Sequence, residues 1–243
     1  MSIRAVLAAA LFAFALAPPV ATGGELKQSP RAVLELFTSQ GCSSCPKADA
    51  MLKELASQPD IIALAYHVDY WDYIGWPDTF GSKEYSDRQL DYAAAWGSSR
   101  IFTPQLVVNG SKSVVASRRS EVGGAVEGAA LSLRVALTSA GDMLEIDIPG
   151  DATMGEAVVW LVSFIDQADV KIDRGENGGK TIAYTQIVTG RQVLGMWEPA
   201  TGAHLKLPLS EVLAGTANGA VVMVQQEKAG LPGPILGAAS FTR

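Results

Sequence analysis

The rhythm of apolar and polar positions changes once along this chain of 243 residues. Ala32-Val33-Leu34-Glu35-Leu36-Phe37-Thr38 is a short run of apolar, β-branched and aromatic residues, which predicts a strand. A polar turn, Ser39-Gln40-Gly41, follows. From Pro46 to Ala56 the apolar positions Ala48, Met51, Leu52 and Leu55 recur at three- and four-residue steps, the period of a helix. Ile61 to Val68 is near-continuously apolar, as in a strand buried on both faces. Residues 69 to 100 form a long insertion rich in aromatic and charged residues, whose second half, Ser82 to Trp96, reads as helical. Leu106-Val107-Val108 and Val114-Val115 flank Asn109-Gly110, the strongest local hairpin signal. Arg118 to Leu131 reads as a closing helix that Gly123-Gly124 weakens.

From about residue 131 the period becomes two. Leu131 to Leu137 and Leu144 to Ile148 alternate apolar and polar residues, and Val158 to Ile165, Thr181 to Val188 and Ala220 to Val224 do so more loosely. That is the pattern of antiparallel strands with one wet face. The expected fold class is α/β: a module over residues 24–130 that carries a helical and aromatic insertion, followed by a β-rich antiparallel module over 131–243.

The first residues read as an export signal over 1–23. Arg4 supplies a positive start, Ala5 to Ala17 an apolar stretch too short to span a bilayer, and Ala21-Thr22-Gly23 a cleavage site. An uncleaved anchor is the alternative. Residues 24–30 are polar and read as a loose leader. Export implies a periplasmic or secreted protein with no membrane contact once the signal is removed. The net charge of −6 is spread out. The absence of a basic stripe argues against a nucleic-acid partner.

Candidate chemistry concentrates in Cys42-Ser43-Ser44-Cys45, which holds the chain's 2 cysteines. A disulfide across so short a loop stabilises little, because the entropy removed from the unfolded chain grows with loop length. Reversible exchange suits it, since the second thiol can resolve a mixed disulfide made by the first. The motif sits between a strand and a helix, with Pro46 in the first turn where its missing N–H is harmless. Cys42 is thereby expected at a helix N-terminus, an environment that lowers thiol pKa values to roughly 3.5–7.5.

Strand-CxxC-helix at 32–56, the strand at 61–68, and Thr103-Pro104 ahead of the hairpin at 106–115 together resemble the thioredoxin fold. The resemblance implies that the Thr103-Pro104 bond is cis and lies against the CxxC, with the Thr103 backbone free to pair with an extended substrate. An X–Pro bond adopts cis at a cost of only about 0.5–1 kcal/mol. Leu34 to Pro46, His67-Val68-Asp69-Tyr70-Trp71-Asp72, Thr103-Pro104-Gln105 and Arg174-Gly175-Glu176-Asn177 further resemble an exported bacterial family catalogued as a domain of unknown function. The chain departs from ordinary thioredoxins in three places: the Ser-Ser dipeptide between the cysteines, a turn before Cys42 that reads one residue longer, and Glu35 as the strand carboxylate.

These readings point to a thiol–disulfide oxidoreductase acting on protein thiols and disulfides, with Cys42 attacking and Cys45 resolving. It needs no cofactor beyond a partner that recycles the pair. Glu35 shares a strand face with Val33 and Phe37, where a desolvated carboxylate can take the proton of Cys45; an edge or surface glutamate is the alternative. His67 and Asp69 end the middle strand, where α/β sheets carry ligand crevices, and are read as bordering the site; a structural histidine is the alternative. Trp71 belongs to an aromatic cluster that serves as a lid, a peptide wall or core packing. Arg174 to Gly179 reads as a structural turn. Zinc lacks ligands, with 2 histidines in the chain. Copper(I) on Cys42 and Cys45, in a chaperone, is one rival, and a redox-inactive adaptor is the other. Ser43 and Ser44 have no Ser-His-Asp constellation to join.

Overall fold

The computed structural model describes residues 24–243, so the expected export signal lies outside the described residues. In chain order the elements are β1 (Glu25–Gln28), β2 (Ala32–Thr38), α1 (Pro46–Ala56), β3 (Ile61–His67), α2 (Lys83–Ala95), β4 (Gln105–Val108), β5 (Lys112–Val115) and α3 (Arg119–Glu127). They continue with β6 (Ala136–Ala140), β7 (Met143–Ile148), β8 (Ala157–Lys171), β9 (Thr181–Trp197), β10 (Ala203–Pro208), α4 (Leu209–Val212), β11 (Gly219–Lys228) and β12 (Leu231–Thr242). The protein is mixed α/β and β-rich, with one nine-stranded sheet ordered β1-β12-β11-β8-β9-β3-β2-β4-β5 and one three-stranded sheet ordered β10-β7-β6.

The apolar runs expected as buried strands are buried throughout. β2 and β3 pair in parallel from Ala32↔Ile61 to Thr38↔His67, and every residue of both is buried. β4 flanks β2 antiparallel and turns into β5 through Asn109-Gly110. Both turn residues have positive φ, 49° and 65°, as this hairpin type requires. The Asn109 side chain also accepts the Val33 N–H at 2.7 Å, tying the turn to β2.

Strand alternation divides the core. Ala32, Leu34 and Leu36 of β2 pack with Ala48, Met51 and Leu52 of α1 and with Val122 and Val126 of α3. Val33 and Phe37, on the opposite face, pack with Tyr85 and Tyr92 of α2 and with Phe164, Val221 and Ile235 of β8, β11 and β12. The other face of β8 and β11 is covered by the small sheet through Leu137, Leu144 and Ile146. The large sheet is continuous across residue 130: β3 meets β9 in parallel at Ala65↔Ile187.

Two differences from the sequence reading concern edges. Residues 24–30 are not a loose leader throughout, because β1 pairs antiparallel with β12 from Glu25↔Thr242 to Gln28↔Ala239. Only Leu26 of this polar strand reaches the core, so its composition carries no strand signal. The alternating stretch that begins at Leu131 becomes a strand only from Ala136.

Glu35 lies on the α2 side of β2, completely buried, in an ion pair with Arg88 of α2 at 2.6 Å. Its other oxygen accepts the Tyr92 hydroxyl. Arg88 also donates to Tyr92 at 3.0 Å and to Gln225 of β11 at 3.1 Å. Burial alone would push the guanidinium pKa down, and the Glu35 charge reverses that and raises it. Removing one partner leaves an uncompensated buried charge, so Arg88→Met is expected to cost about 3–5 kcal/mol in urea unfolding. Adding an apolar residue at position 35 in the same chain should recover a substantial part of that loss.

Candidate functional site

β2 ends at Thr38, and the chain turns through Ser39-Gln40-Gly41 into the cysteine motif. Cys42 and Cys45 are joined as a disulfide, with their Cα atoms 5.4 Å apart. The N-cap of α1 is Cys45, with Pro46 next to it, so Cys42 sits three residues ahead on the approach to the helix and not on its first turn. The Cys45 carbonyl accepts the N–H groups of Ala48 and Asp49. Both cysteines are covered, at 1% and 0% exposure, while Ser43 and Ser44 between them are exposed.

The Thr103-Pro104 bond is cis. Trp71 links it to the cysteine turn. Its indole N–H donates to the Thr103 hydroxyl at 2.7 Å, and its Cβ would stand 3.1 Å from any Cβ placed on Gly41. Only glycine fits there without a shift. The Thr103 loop is held from α2, where Gln89 donates to the Phe102 carbonyl at 2.8 Å and to Gln105 at 2.6 Å. Asp69 is engaged elsewhere, accepting the Ser86 hydroxyl of α2 at 2.5 Å.

Glu35 is not brought to the cysteines. Its strand face looks toward α2, whereas α1 lies on the opposite face with Leu34 and Leu36. The buried acid on the cysteine side is Asp49, one helical turn past Cys45. Residues at i and i+4 share a helix face, so Asp49 and Cys45 lie on one side of α1. One of its oxygens accepts the Thr38 hydroxyl at 2.8 Å. The other has no protein partner among the described residues, and neither do His67 Nε2 and the Tyr184 hydroxyl. The His67 and Tyr184 rings meet edge to face with centroids 4.9 Å apart.

His67 Nδ1 is 2.8 Å from Asp78 Oδ2, both side chains fully buried. The same Asp78 oxygen accepts the Gln40 N–H at 2.7 Å, which ties this cluster to the turn before Cys42. Burial raises the Asp49 pKa to about 7, against the opposing pull of His67 and the Thr38 hydrogen bond. Burial would lower the His67 pKa, but the Asp78 and Asp49 carboxylates outweigh it and the net direction is up. Burial would raise Asp78, but His67 and the backbone donors bring it below the usual range.

The Arg174–Gly179 segment is the turn between β8 and β9, as expected, and it also reaches the cysteines. Asn177, completely buried, donates through its amide to the carbonyls of Gln40 and Cys42, each at 2.9 Å. Glu176 accepts the Ser43 N–H at 3.1 Å. Trp76 donates to the Gln40 side chain at 2.8 Å. Among the described residues no group of three or more His, Cys, Asp or Glu side chains is arranged to hold a metal ion.

Sequence reasoning assigned Cys42, Cys45, Glu35, Thr103 and Pro104 to the site with His67, Asp69 and Trp71 at its border, and passed over Asp49, Asp78, Glu176 and Asn177 as site residues. One signal was available. Asp49 lies on the apolar stripe of α1, in line with Cys45 and Leu52, where a carboxylate is out of place.

The raised Asp49 pKa has a stability consequence. In the unfolded chain this group ionises near pH 3.8, but in the folded protein only near pH 7. Stability from this group is complete below the lower value and falls until the upper one is passed. Relative to Asp49→Asn, the oxidised wild type should lose up to about 1.4 kcal/mol per pH unit across that window and then level off, as read by urea unfolding at successive pH values.

The family described as Protein of unknown function (DUF1223) matches residues 33–225. The crystal structure of protein AGR_C_4864 from Agrobacterium tumefaciens is 35% identical, with a TM-score of 0.78 over 88% of this chain and 95% of that one. HBP35 of Porphyromonas gingivalis is 11% identical, with a TM-score of 0.55 over 88% of this chain and 74% of that one, a likeness of fold alone. Comparison with curated proteins finds no match. With a family match across most of its length and a relative sharing a third of its residues, the chain belongs to the family described as Protein of unknown function (DUF1223).

Proposed function

We propose that this protein is a thiol–disulfide oxidoreductase of the cell envelope, periplasmic or secreted, that uses a thioredoxin-like module over residues 24–130 to exchange disulfides with protein substrates. The observation that carries the reading is the Trp71 bridge, which joins the turn before the Cys42–Cys45 disulfide to Thr103 beside Pro104. An isolated structural staple has no need of such a neighbour.

In the reductive direction, the Cys42 thiolate attacks a substrate disulfide. A Cys42–substrate disulfide forms, and one substrate sulfur leaves as thiolate and takes a proton from water. Cys45 then gives up its proton, and its sulfur attacks the Cys42 sulfur. The Cys42–Cys45 bond closes and the second substrate thiol is released. The substrate gains two electrons and the cysteine pair loses two, so a partner dithiol must reduce the pair again. Asp49 takes the Cys45 proton in this scheme. It has a free buried oxygen on the same helix face, a role the strand pattern had suggested for Glu35.

A second reading, a redox-inactive adaptor, draws on the covered state of both sulfurs. Exchange with a disulfide-bonded model protein separates the two. The wild type should cycle, Cys42→Ser should lose exchange entirely, and Cys45→Ser should accumulate a mixed disulfide seen as added mass. Equal behaviour of all three proteins would remove the oxidoreductase.

A further inference from the structure

The amide that directly follows Cys42 already holds an anion from this chain. Ser43 N–H donates to Glu176 at 3.1 Å, and hydrogen bonding by the Ser43 side chain first and its N–H second lowers the Glu176 pKa, so the group is ionised at neutral pH. The carboxylate is delivered from the β8–β9 turn, more than a hundred residues away in sequence. Its neighbour Asn177 is locked by two bonds to the same cysteine turn. The turn that carries Glu176 is therefore anchored beside Cys42, while the Glu176 side chain itself is exposed. Lys180, a cation on this turn, donates to the Asn177 side chain at 2.8 Å. The other charged groups around the turn include Asp173 and Arg174 on the same loop, Lys47 on the first turn of α1, Asp72 and Asp78 from the aromatic insertion, and Asp49 and His67 beneath.

We propose that Glu176 is a specificity-determining residue of the cysteine site, a fixed negative charge beside Cys42 that selects disulfides flanked by basic residues over those flanked by acidic ones. The proposal rests on the exchange reading above and adds the substrate class. Two physical effects follow from one charge. A cationic group next to the substrate sulfur is attracted and an acidic one repelled, with the attraction weakened by salt because Glu176 is exposed. The same charge also opposes a second anion on Cys42, which lowers its thiolate fraction equally for every substrate.

Three small disulfides separate these effects: cystamine, which is cationic; oxidised glutathione, which is anionic; and bis(2-hydroxyethyl) disulfide, which is neutral. Each accepts the Cys42 thiolate, releases one thiolate, and is displaced by Cys45, so the protein is oxidised and the probe reduced. With the reduced wild-type protein, cystamine should react faster than oxidised glutathione. Glu176→Gln keeps an acceptor for the Ser43 N–H and removes the charge, so the cystamine-to-glutathione rate ratio should fall about two- to fivefold. That difference between the two proteins should shrink toward nothing in 1 M salt, where the screening length is about 3 Å. The neutral probe should react somewhat faster with the variant. A ratio identical in wild type and Glu176→Gln at low salt, in proteins that react with the neutral probe, would overturn the role of Glu176. If neither protein reacts with any probe, the exchange reading fails and this selectivity fails with it.

Discussion

A carboxylate with no exposed surface, held by a guanidinium 2.6 Å away, is the constraint on which the rest of this structure leans. Neither Glu35 nor Arg88 tolerates burial alone, because an unpaired charge away from water costs several kcal/mol. Their pairing requires α2 to lie on one particular face of β2. Gln225 and Tyr92 complete the hydrogen bonds, and Gln225 belongs to β11 near the chain's far end. Strand, insertion helix and late strand are thereby fixed in a single arrangement. The aromatic residues Tyr66 and Tyr92 stack on the guanidinium, which gives the apolar part of this core a polar centre in which the Tyr66 hydroxyl is left without a protein partner among the described residues.

The opposite face of the same two strands carries a different kind of buried polarity. Asp49, His67 and Tyr184 each leave one atom without a protein partner, and they do so together beneath the cysteine motif. The Glu35 cluster, by contrast, is bonded on both carboxylate oxygens. A satisfied network favours rigidity, whereas a partly satisfied one retains protonation states close in energy. The β8–β9 turn adds a third element, supplying the donors that the buried Gln40 and Cys42 carbonyls need.

Much of the local architecture was legible in the chain. The expected strand Ala32–Thr38 and helix Pro46–Ala56 coincide with β2 and α1, because a continuous apolar run and a three-four stripe each admit one backbone period. Asn109-Gly110 forms its hairpin because few residue pairs accept positive φ twice in succession. Edge strands were poorly legible. β1 is stabilised by backbone bonds to β12 and buries almost nothing, so its polar composition is that of a loop. The lengths of β8 and β9 also exceed what their alternation suggested: the paired stretch beyond Ile165 and before Ile187 packs one face against a small separate cluster of Ile172, Ile182 and Tyr184 and leaves the other face to solvent.

The cysteine pair and its place between a strand and a helix were determined by sequence alone, since both are matters of residues close together in the chain, whereas Thr103-Pro104, some sixty residues on, was linked to them only by the resemblance. That Glu35 faces α2 and not the cysteines was decided only by tertiary structure. Alternation along β2 says that Glu35 lies on the opposite face from Leu34 and Leu36 without saying which face receives which helix. Glu176 and Asn177 were likewise beyond local reading, for their contacts with Ser43 and Cys42 span separations of 133 and 135 residues. Only the pairing of β3 with β9 brings that turn over the cysteines, and no periodicity within either segment encodes it.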